Sequence, residues 1–422
     1  MNVWVFQTGE PLIIDDGNRR PMRAMNLTSA LVDRGHNVQL ISSAFFHQEK
    51  IHRTRKFKVI RVSNFLSVHL IPSPGYVRNI GFGRLFDHFC LAKNTSKFLK
   101  NQSVKPDVVF IGYPPIETAA VLSRWCKEQG VPCVIDVKDQ WPAIFLDPLP
   151  NFLKGIGRVM LFPYFYYGKR AMHEASALTA MAPSFLDWAI KFSNSDVKNN
   201  NGVFPLTSSL SGYSEAEIFE AEKWWNNIGI YKEKKLRIMF VGSFMTVFDF
   251  KEVAIAAKLL YQNGVDCQFV LCGDGGSIDK IKAEFSDAPN VIFPGWIDGP
   301  KIVALARRSS LSIAPYKNLD SFERSIPNKV IDAISLGLPI LTPLGGEVGA
   351  LVENYNIGMI YGPVGTKSLG KCIEEFVSNS KLREAMAEKS LHLYEKKFSS
   401  KKKYDEFVDY LESFVVLNVG NQ

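Results

Sequence analysis

The feature that most constrains this chain is a strand–helix alternation that runs, stops once and then restarts. In the front half, apolar runs suited to buried strands are Asn2–Phe6 (NVWVF), NVQLIS, FKVIRV, VHLIP, PDVVFIGYP and PCVIDV. Helix-like segments separate them: Pro21–Gly35, with proline early and glycine as its stop, then GRLFDHFCLAKNTSKFLK and PIETAAVLSRWCKEQG. After another helical stretch, SALTAMAPSFLDWAIKF reads as a strand and then a helix. Between Asn194 and Tyr213 the pattern ends in a run dominated by Asn, Ser and Gly, which predicts a hinge, and SEAEIFEAEKWWNNIGI reads as a helix at the junction. The alternation resumes with LRIMFVGS, CQFVLCGD, NVIFPGW, LSIAPY, PILTP and IGMIY as strands, helices such as PNKVIDAISLG between them, and a mainly helical tail from Thr366. Strands alternating with helices build parallel sheets from βαβ units. The fold class is therefore α/β, with two Rossmann-like domains.

The length of 422 residues accommodates two or three domains of roughly 100–200 residues each. Hydrophobic residues at 46% and charged residues at 22% exclude disorder, collagen-like repeats and small disulfide scaffolds. The formal charge of +8 suits an acidic membrane surface or a phosphate-bearing substrate as well as nucleic acid. None of the six cysteines forms C-x-x-C, and no Cys/His cluster has zinc-ligand spacing, so buried free thiols are expected. The start, MNVWVFQTGE, does not read as a signal peptide, and no run reaches the roughly 20 apolar residues of a spanning helix. The expectation is a cytoplasmic protein, peripheral on the cytoplasmic face of a membrane.

Several loops sit where open α/β sheets bind ligands, at the carboxyl ends of strands. The first is Thr8–Asn18, with Gly9, Glu10, Asp16 and Gly17, followed by Arg19, Arg20 and Arg23. Its glycines admit backbone to a ligand and the next helix offers free N–H groups. It is not G-x-G-x-x-G, which argues against a dinucleotide. The second is DVKDQWP, presenting Asp136, Lys138, Asp139 and Trp141. Here two readings stand side by side. A carboxylate and an indole can hold a sugar, or Asp139 caps a helix and Trp141 is core.

In the rear half, Gly242 with Ser243, and Gly273, Asp274 and Gly275, form two strand-to-glycine turns able to admit phosphates. The richest segment is Ser321–Glu353. Pro327 starts a helix and Gly337 ends it; Asp332 lies inside, Glu323 ahead, and Arg324, Asn328 and Lys329 near its start. The macrodipole favours an anion at that end. Lys329 and backbone amides suit a diphosphate, and a carboxylate suits a ribose diol.

On these residues the whole chain resembles the GT-B glycosyltransferases, specifically the retaining family 4 group, and most of all members from bacterial O-antigen, capsule and lipopolysaccharide clusters. The matching pieces are QTGEPLIIDDGNRRPMRAMNLTSALVDRGHNV, DVKDQWP, and IPNKVIDAISLGLPIL with GGEVGALVE. The resemblance implies an acceptor domain over 1–205, a nucleotide-sugar domain over 206–395 and a last segment, 396–422, crossing back to the first. The two domains would face each other across a cleft, with no bound metal and no cofactor beyond the donor. It implies that the departing diphosphate helps accept the acceptor proton.

Residue by residue, Asp332 matches the second, ribose-binding acid of the family's E-x₇-E motif, whose spacing leads back to Arg324 rather than Glu323. The first acid is thus shifted. Asn328 and Lys329 would lie by the diphosphate, Arg324 and Ser325 elsewhere in the donor site, and Trp296 and Ile297 by the base. Where many relatives carry an Arg and a Lys after the first donor-domain strand, this chain has VGSFMTVFDF and no basic residue until Lys251. Asp139 stands where many relatives have a His, and with Glu323 is expected at the reacting centre.

The implied function is hexosyl or N-acetylhexosaminyl transfer from a nucleoside-diphosphate sugar, with UDP preferred, to a lipid-linked or oligosaccharide acceptor in bacterial surface polysaccharide synthesis. Two alternatives remain: a nucleotide-sugar 2-epimerase of the same architecture, or a non-catalytic nucleotide-sugar-binding protein. Nucleic-acid binding has no recognised module here. The basic run Lys50–Arg61 reads as a solvated loop, or as a contact for anionic lipid headgroups or a lipid-diphosphate acceptor. The segment Phe152–Arg170, with Lys154, Arg158, Lys169 and Arg170 at its ends, suits anionic lipid. A buried helix kinked at Pro163 is the other reading of the second segment. The seven histidines have no partners at ligand or triad spacing, although His47 follows a strand.

Overall fold

A computed structural model of the chain describes residues 1–16, 20–79, 81–147, 149–194, 200–232 and 235–419. The chain divides into two compact units, Met1–Pro205 with Lys401–Gln422, and Leu206–Ser400. The return segment starts after Ser400 rather than at 396. A π-helical turn, Tyr394–Phe398, buries Tyr394 and Phe398 in the rear core and keeps these residues there.

The front unit contains strands β1 (Asn2–Phe6), β2 (Asn37–Ser43), β3 (Phe45–Phe46), β4 (Ile51–His52), β5 (Lys58–Arg61), β6 (Leu66–Ile71), β7 (Val108–Tyr113), β8 (Cys133–Val137), β9 (Ala177–Ala180) and β10 (Gly202–Val203). Eight of them form one sheet in the order β10-β9-β8-β7-β1-β2-β6-β5. All its neighbours are parallel except β5 and β6, which pair antiparallel. The four residues between β5 and β6 are too few for a parallel crossover, which needs a dozen or more. β1 shows why the sheet is covered on both faces: Trp4 and Phe6 join one apolar cluster, Val3 and Val5 another. Successive side chains of a strand point to opposite faces. The second cluster is completed by Tyr404, Phe407, Val408, Leu411 and Phe414 of the last helix, Ser400–Val419. Phe407 stacks on Phe204 at 3.9 Å between ring centroids.

The rear unit contains β11 (Leu236–Val241), β12 (Cys267–Cys272), β13 (Val291–Gly295), β14 (Leu311–Ile313), β15 (Ile340–Thr342) and β16 (Gly358–Ile360). They form an all-parallel sheet in the order β13-β12-β11-β14-β15-β16. The helix Glu215–Asn227 opens with a capping box, Ser214 and Glu217 each accepting from the other's backbone N–H.

The Phe152–Arg170 segment is two helices, Asn151–Met160 and Phe162–Glu174, with Pro163 in the first turn of the second. Proline is tolerated there because that N–H has no helical partner. The first helix is not buried: Phe152, Ile156, Val159 and Met160, on one face, are all exposed. Among the described residues no helix is long and apolar enough to cross a membrane, and the six cysteines are free thiols, five of them buried.

Candidate functional site

In the rear unit the carboxyl ends of β11, β12 and β13 are tied together by backbone. Gly242 N–H donates to Cys272, Phe244 N–H to Asp274 at 2.8 Å, and Gly273 N–H to Gly295. These bonds hold both glycine turns side by side. Onto them folds Lys329, from the helix Asn328–Ser335. Its ammonium donates to the carbonyl of Val241 and lies over the rings of Phe240 and Phe248, 4.7 and 5.2 Å from their centroids. A β-carbon on Gly242 would overlap that ammonium, so the glycine makes the seat.

Asp332, three residues on, is half-buried. It adds to the burial that raises the pKa of the Tyr316 phenol. Glu323 ends the short helix Asp320–Glu323, and its backbone lies against Gly346 at the start of the helix Gly346–Tyr355. A side chain at Gly346 would overlap the Glu323 carbonyl. Arg324 and Asn328 are exposed and Ser325 is half-buried. Asp274 is exposed, with its carboxylate accepting from Gly275 N–H. Trp296 is 71% exposed whereas Ile297 is buried. A polar floor, two helix starts and one ammonium thus gather at the carboxyl ends of the rear strands, where an oxyanion is favoured.

Sequence reasoning missed a neighbouring groove lined by Phe248, Asp249, Lys251, Ser277, Lys280 and Lys317. Lys251 opens the helix Lys251–Gln262, Lys280 lies in the helix Ile278–Glu284 and Lys317 in a loop, so no spacing announces them.

The front-unit residues are placed differently. Gly9 forms a left-handed turn. Glu10 is buried, accepting from Ala24 N–H and from Lys138 at 2.6 Å. Arg23 and Asp136 correct the expectation of ligand-facing groups. They form a buried bidentate ion pair, both bonds 2.7 Å, with Thr179 donating to the same carboxylate and Arg23 donating to Phe204. The arginine counters the effect of burial and leaves the Asp136 carboxyl below its usual range. Trp141 is also core rather than a sugar platform: it is buried beneath Arg84 (4.7 Å) and edge-on to Phe145. Asp139 accepts from Gln140 N–H and Trp141 Nε1–H, and burial raises its pKa. Asp16 is exposed; Gly17, Asn18 and Arg19 lie outside the described residues. Within the basic run, Arg53 is engaged internally, paired with Asp15 through two bonds of 2.5 and 2.6 Å.

A second cluster in this unit also went unseen. His88 Nδ1 is 3.8 Å from Glu117 Oε2, and both side chains are largely buried. Burial, first of all, lifts the Glu117 carboxyl to about 7 and lowers the His88 imidazolium to about 3. Tyr76 donates to His47 Nδ1 at 2.5 Å, and His47 is lowered to about 4 by burial and by Lys50. The available signals were Glu117 opening a helix just after β7, and Arg84 with His88 one turn apart on the helix Phe82–Lys100.

The comparisons with known proteins bear chiefly on the rear unit. Residues 222–392 match the family described as "Glycosyl transferases group 1". The match covers less than half of the chain and lies within the rear unit. The matched segment contains Gly242, Trp296, Glu323, Lys329 and Asp332. The chain is similar to alpha-D-kanosaminyltransferase of Streptomyces kanamyceticus, 23% identical over 165 residues. The similarity covers 38% of this chain and 42% of the relative, so it spans less than half of that relative's length. Sucrose-phosphate synthase from Thermosynechococcus elongatus superposes with a TM-score of 0.71 at 12% identity, covering 99% of each chain. HepE from Anabaena, in complex with UDP and glucose, gives a TM-score of 0.63 at 13% identity over 98% of this chain and 100% of that one. These likenesses show the GT-B fold.

Proposed function

We propose that the protein transfers a sugar from a nucleoside-diphosphate sugar, UDP-linked by preference, to a lipid-linked or oligosaccharide acceptor. The observation that carries this reading is the Lys329 ammonium fixed at the end of β11, three residues before Asp332, inside the matched domain. In this reading Lys329 and the backbone N–H groups opening the Asn328–Ser335 helix take the charge that develops on the departing diphosphate. Such preorganised groups stabilise a transition state more than a ground state. Asp332 accepts hydrogen bonds from the ribose hydroxyls, and the exposed Trp296 meets the base. The UDP found with HepE supports the choice of nucleotide.

The sugar is of the hexose or N-acetylhexosamine class and its anomeric configuration is retained. No bound metal is required, and activity persists in chelator. The role is surface polysaccharide synthesis at the cytoplasmic face of the bacterial inner membrane. The exposed apolar face of Asn151–Met160, flanked by Lys154 and Arg158, supports the membrane attachment.

The test is incubation of the full chain with UDP-sugars, with and without a lipid-linked glycan. Donor consumed only when acceptor is present, giving a product of unchanged anomeric configuration, supports transfer. Epimerised donor without acceptor assigns the epimerase chemistry instead, and donor binding without turnover across a broad acceptor panel assigns a binding role.

A further inference from the structure

In the front unit, Lys50 and Arg84 stand side by side, held by neutral acceptors. Lys50 Nζ bonds His47 Nδ1 at 3.1 Å and Asn79 Oδ1 at 2.5 Å. Arg84 donates to the carbonyl oxygen of the same Asn79 at 2.9 Å, while its Nε is buried with no hydrogen-bond partner among the described residues. Both lie over the Tyr76 ring, at 4.5 and 5.7 Å from its centroid. Among the described residues neither has a carboxylate at ion-pair distance; the nearby Glu117 and Asp139 act on Arg84 only at longer range. Among the described residues the acceptors that hold the pair, His47 and Asn79, are neutral.

The backbone adds an independent observation. Lys50 closes the four-residue turn between β3 and β4 with φ +59. Glycine and asparagine are the residues suited to that left-handed position, and lysine is not. An unfavourable conformation held at a loop tip is a pointer to function. It sets the ammonium beside Arg84, where two like charges repel and burial weakens the hold of Lys50 on its proton. An oxyanion between them offsets the repulsion and supplies charged acceptors to the two cations.

We propose that Lys50 and Arg84, framed by Tyr76 and His47, form a phosphate-binding site of the front unit, separate from the donor site of the rear unit. Its ligand is a phosphate or diphosphate ester, carried either by a soluble molecule or by a lipid headgroup. The inference does not depend on the transferase reading.

The experiment titrates the full chain with inorganic pyrophosphate, and separately with phosphatidylcholine vesicles with and without phosphatidic acid. It uses wild type, Lys50→Asn and Arg84→Gln, each also in a Lys329→Ala background that disables the rear site. Each front-unit substitution is expected to weaken pyrophosphate or acidic-vesicle binding by about tenfold or more, the effect of one charge-assisted hydrogen bond. It should do so equally in the Lys329→Ala background and leave UDP affinity unchanged. Lys50→Asn should melt no lower than wild type, because asparagine fits the left-handed turn, and this separates lost binding from lost folding. Sensitivity with pyrophosphate points to a soluble ligand, and sensitivity only with acidic vesicles to a lipid headgroup. Equal affinity of wild type and Lys50→Asn in both arms overturns the site. Loss of UDP binding by wild type would instead overturn the donor reading alone.

Discussion

The Lys329 side chain reaches back to the Val241 carbonyl through a space that exists because residue 242 has no side chain. A helix and a strand 88 positions apart are thereby joined at the point where β11 ends. Gly242→Ala should displace the ammonium and weaken nucleoside-diphosphate binding by about 1.5–3 kcal/mol, the range for a charge-assisted hydrogen bond. Calorimetry with UDP measures it. Affinity unchanged in Gly242→Ala would show that the seated position of Lys329 is irrelevant to binding.

Glu117 makes stability depend on pH. Its folded pKa of about 7 lies above the ordinary 4.5, so the native state holds a proton that the unfolded chain releases. Stability is therefore lost as pH rises from 4.5 to 7 and stays reduced above it, by about 3 kcal/mol. Glu117→Gln should raise the melting temperature at pH 8 and leave it nearly unchanged at pH 4. His88 acts in the other direction, its imidazole resisting protonation down to about 3, so acid costs stability as pH falls below 6.5. A Glu117→Gln variant that melts like wild type at pH 8 would contradict the neutral carboxyl.

Arg23 and Asp136 are each fully enclosed, so removing one strands the other. Arg23→Met should destabilise the front unit by about 3–5 kcal/mol, and adding Asp136→Leu should recover much of the loss. Denaturant melts of the single and double variants decide this. An additive double variant would mean that the two charges do not depend on each other.

That pair also shows where sequence reading reaches its limit. Runs such as NVWVF, CVIDV and LRIMFV declare themselves because buried parallel strands are apolar on both faces. The division near Pro205 declares itself because Asn, Ser and Gly interrupt the pattern. Arg23 and Asp136, however, are 113 positions apart, and nothing local states that one neutralises the other. A charged residue after a strand reads equally as site or as structure until its partner is known. Lys329 stood out in the sequence for the opposite reason: its helix start and Asp332 lie within one short segment. The run FKVIRV marked β5 as a strand but not as antiparallel, because an apolar run carries no pairing direction, and β10 is only two residues long inside the Asn- and Gly-rich break.

The helix Asn151–Met160 should bind bilayers. Ile156→Ser with Val159→Ser removes two exposed apolar side chains, each worth up to about 1.5–3 kcal/mol when buried in lipid. Cosedimentation with anionic vesicles should fall sharply, and salt should weaken what remains by screening Lys154 and Arg158. Undiminished sedimentation of the double variant would remove this face from the membrane account.

The most direct measurement is paired calorimetry of UDP and uridine on wild type, Lys329→Ala and Asp332→Ala. Lys329→Ala should lose affinity for UDP far more than for uridine, and Asp332→Ala should lose affinity for both, because one residue grips the diphosphate and the other the ribose. Three proteins with the same two affinities would contradict the assignment of the rear unit as the nucleotide-sugar site.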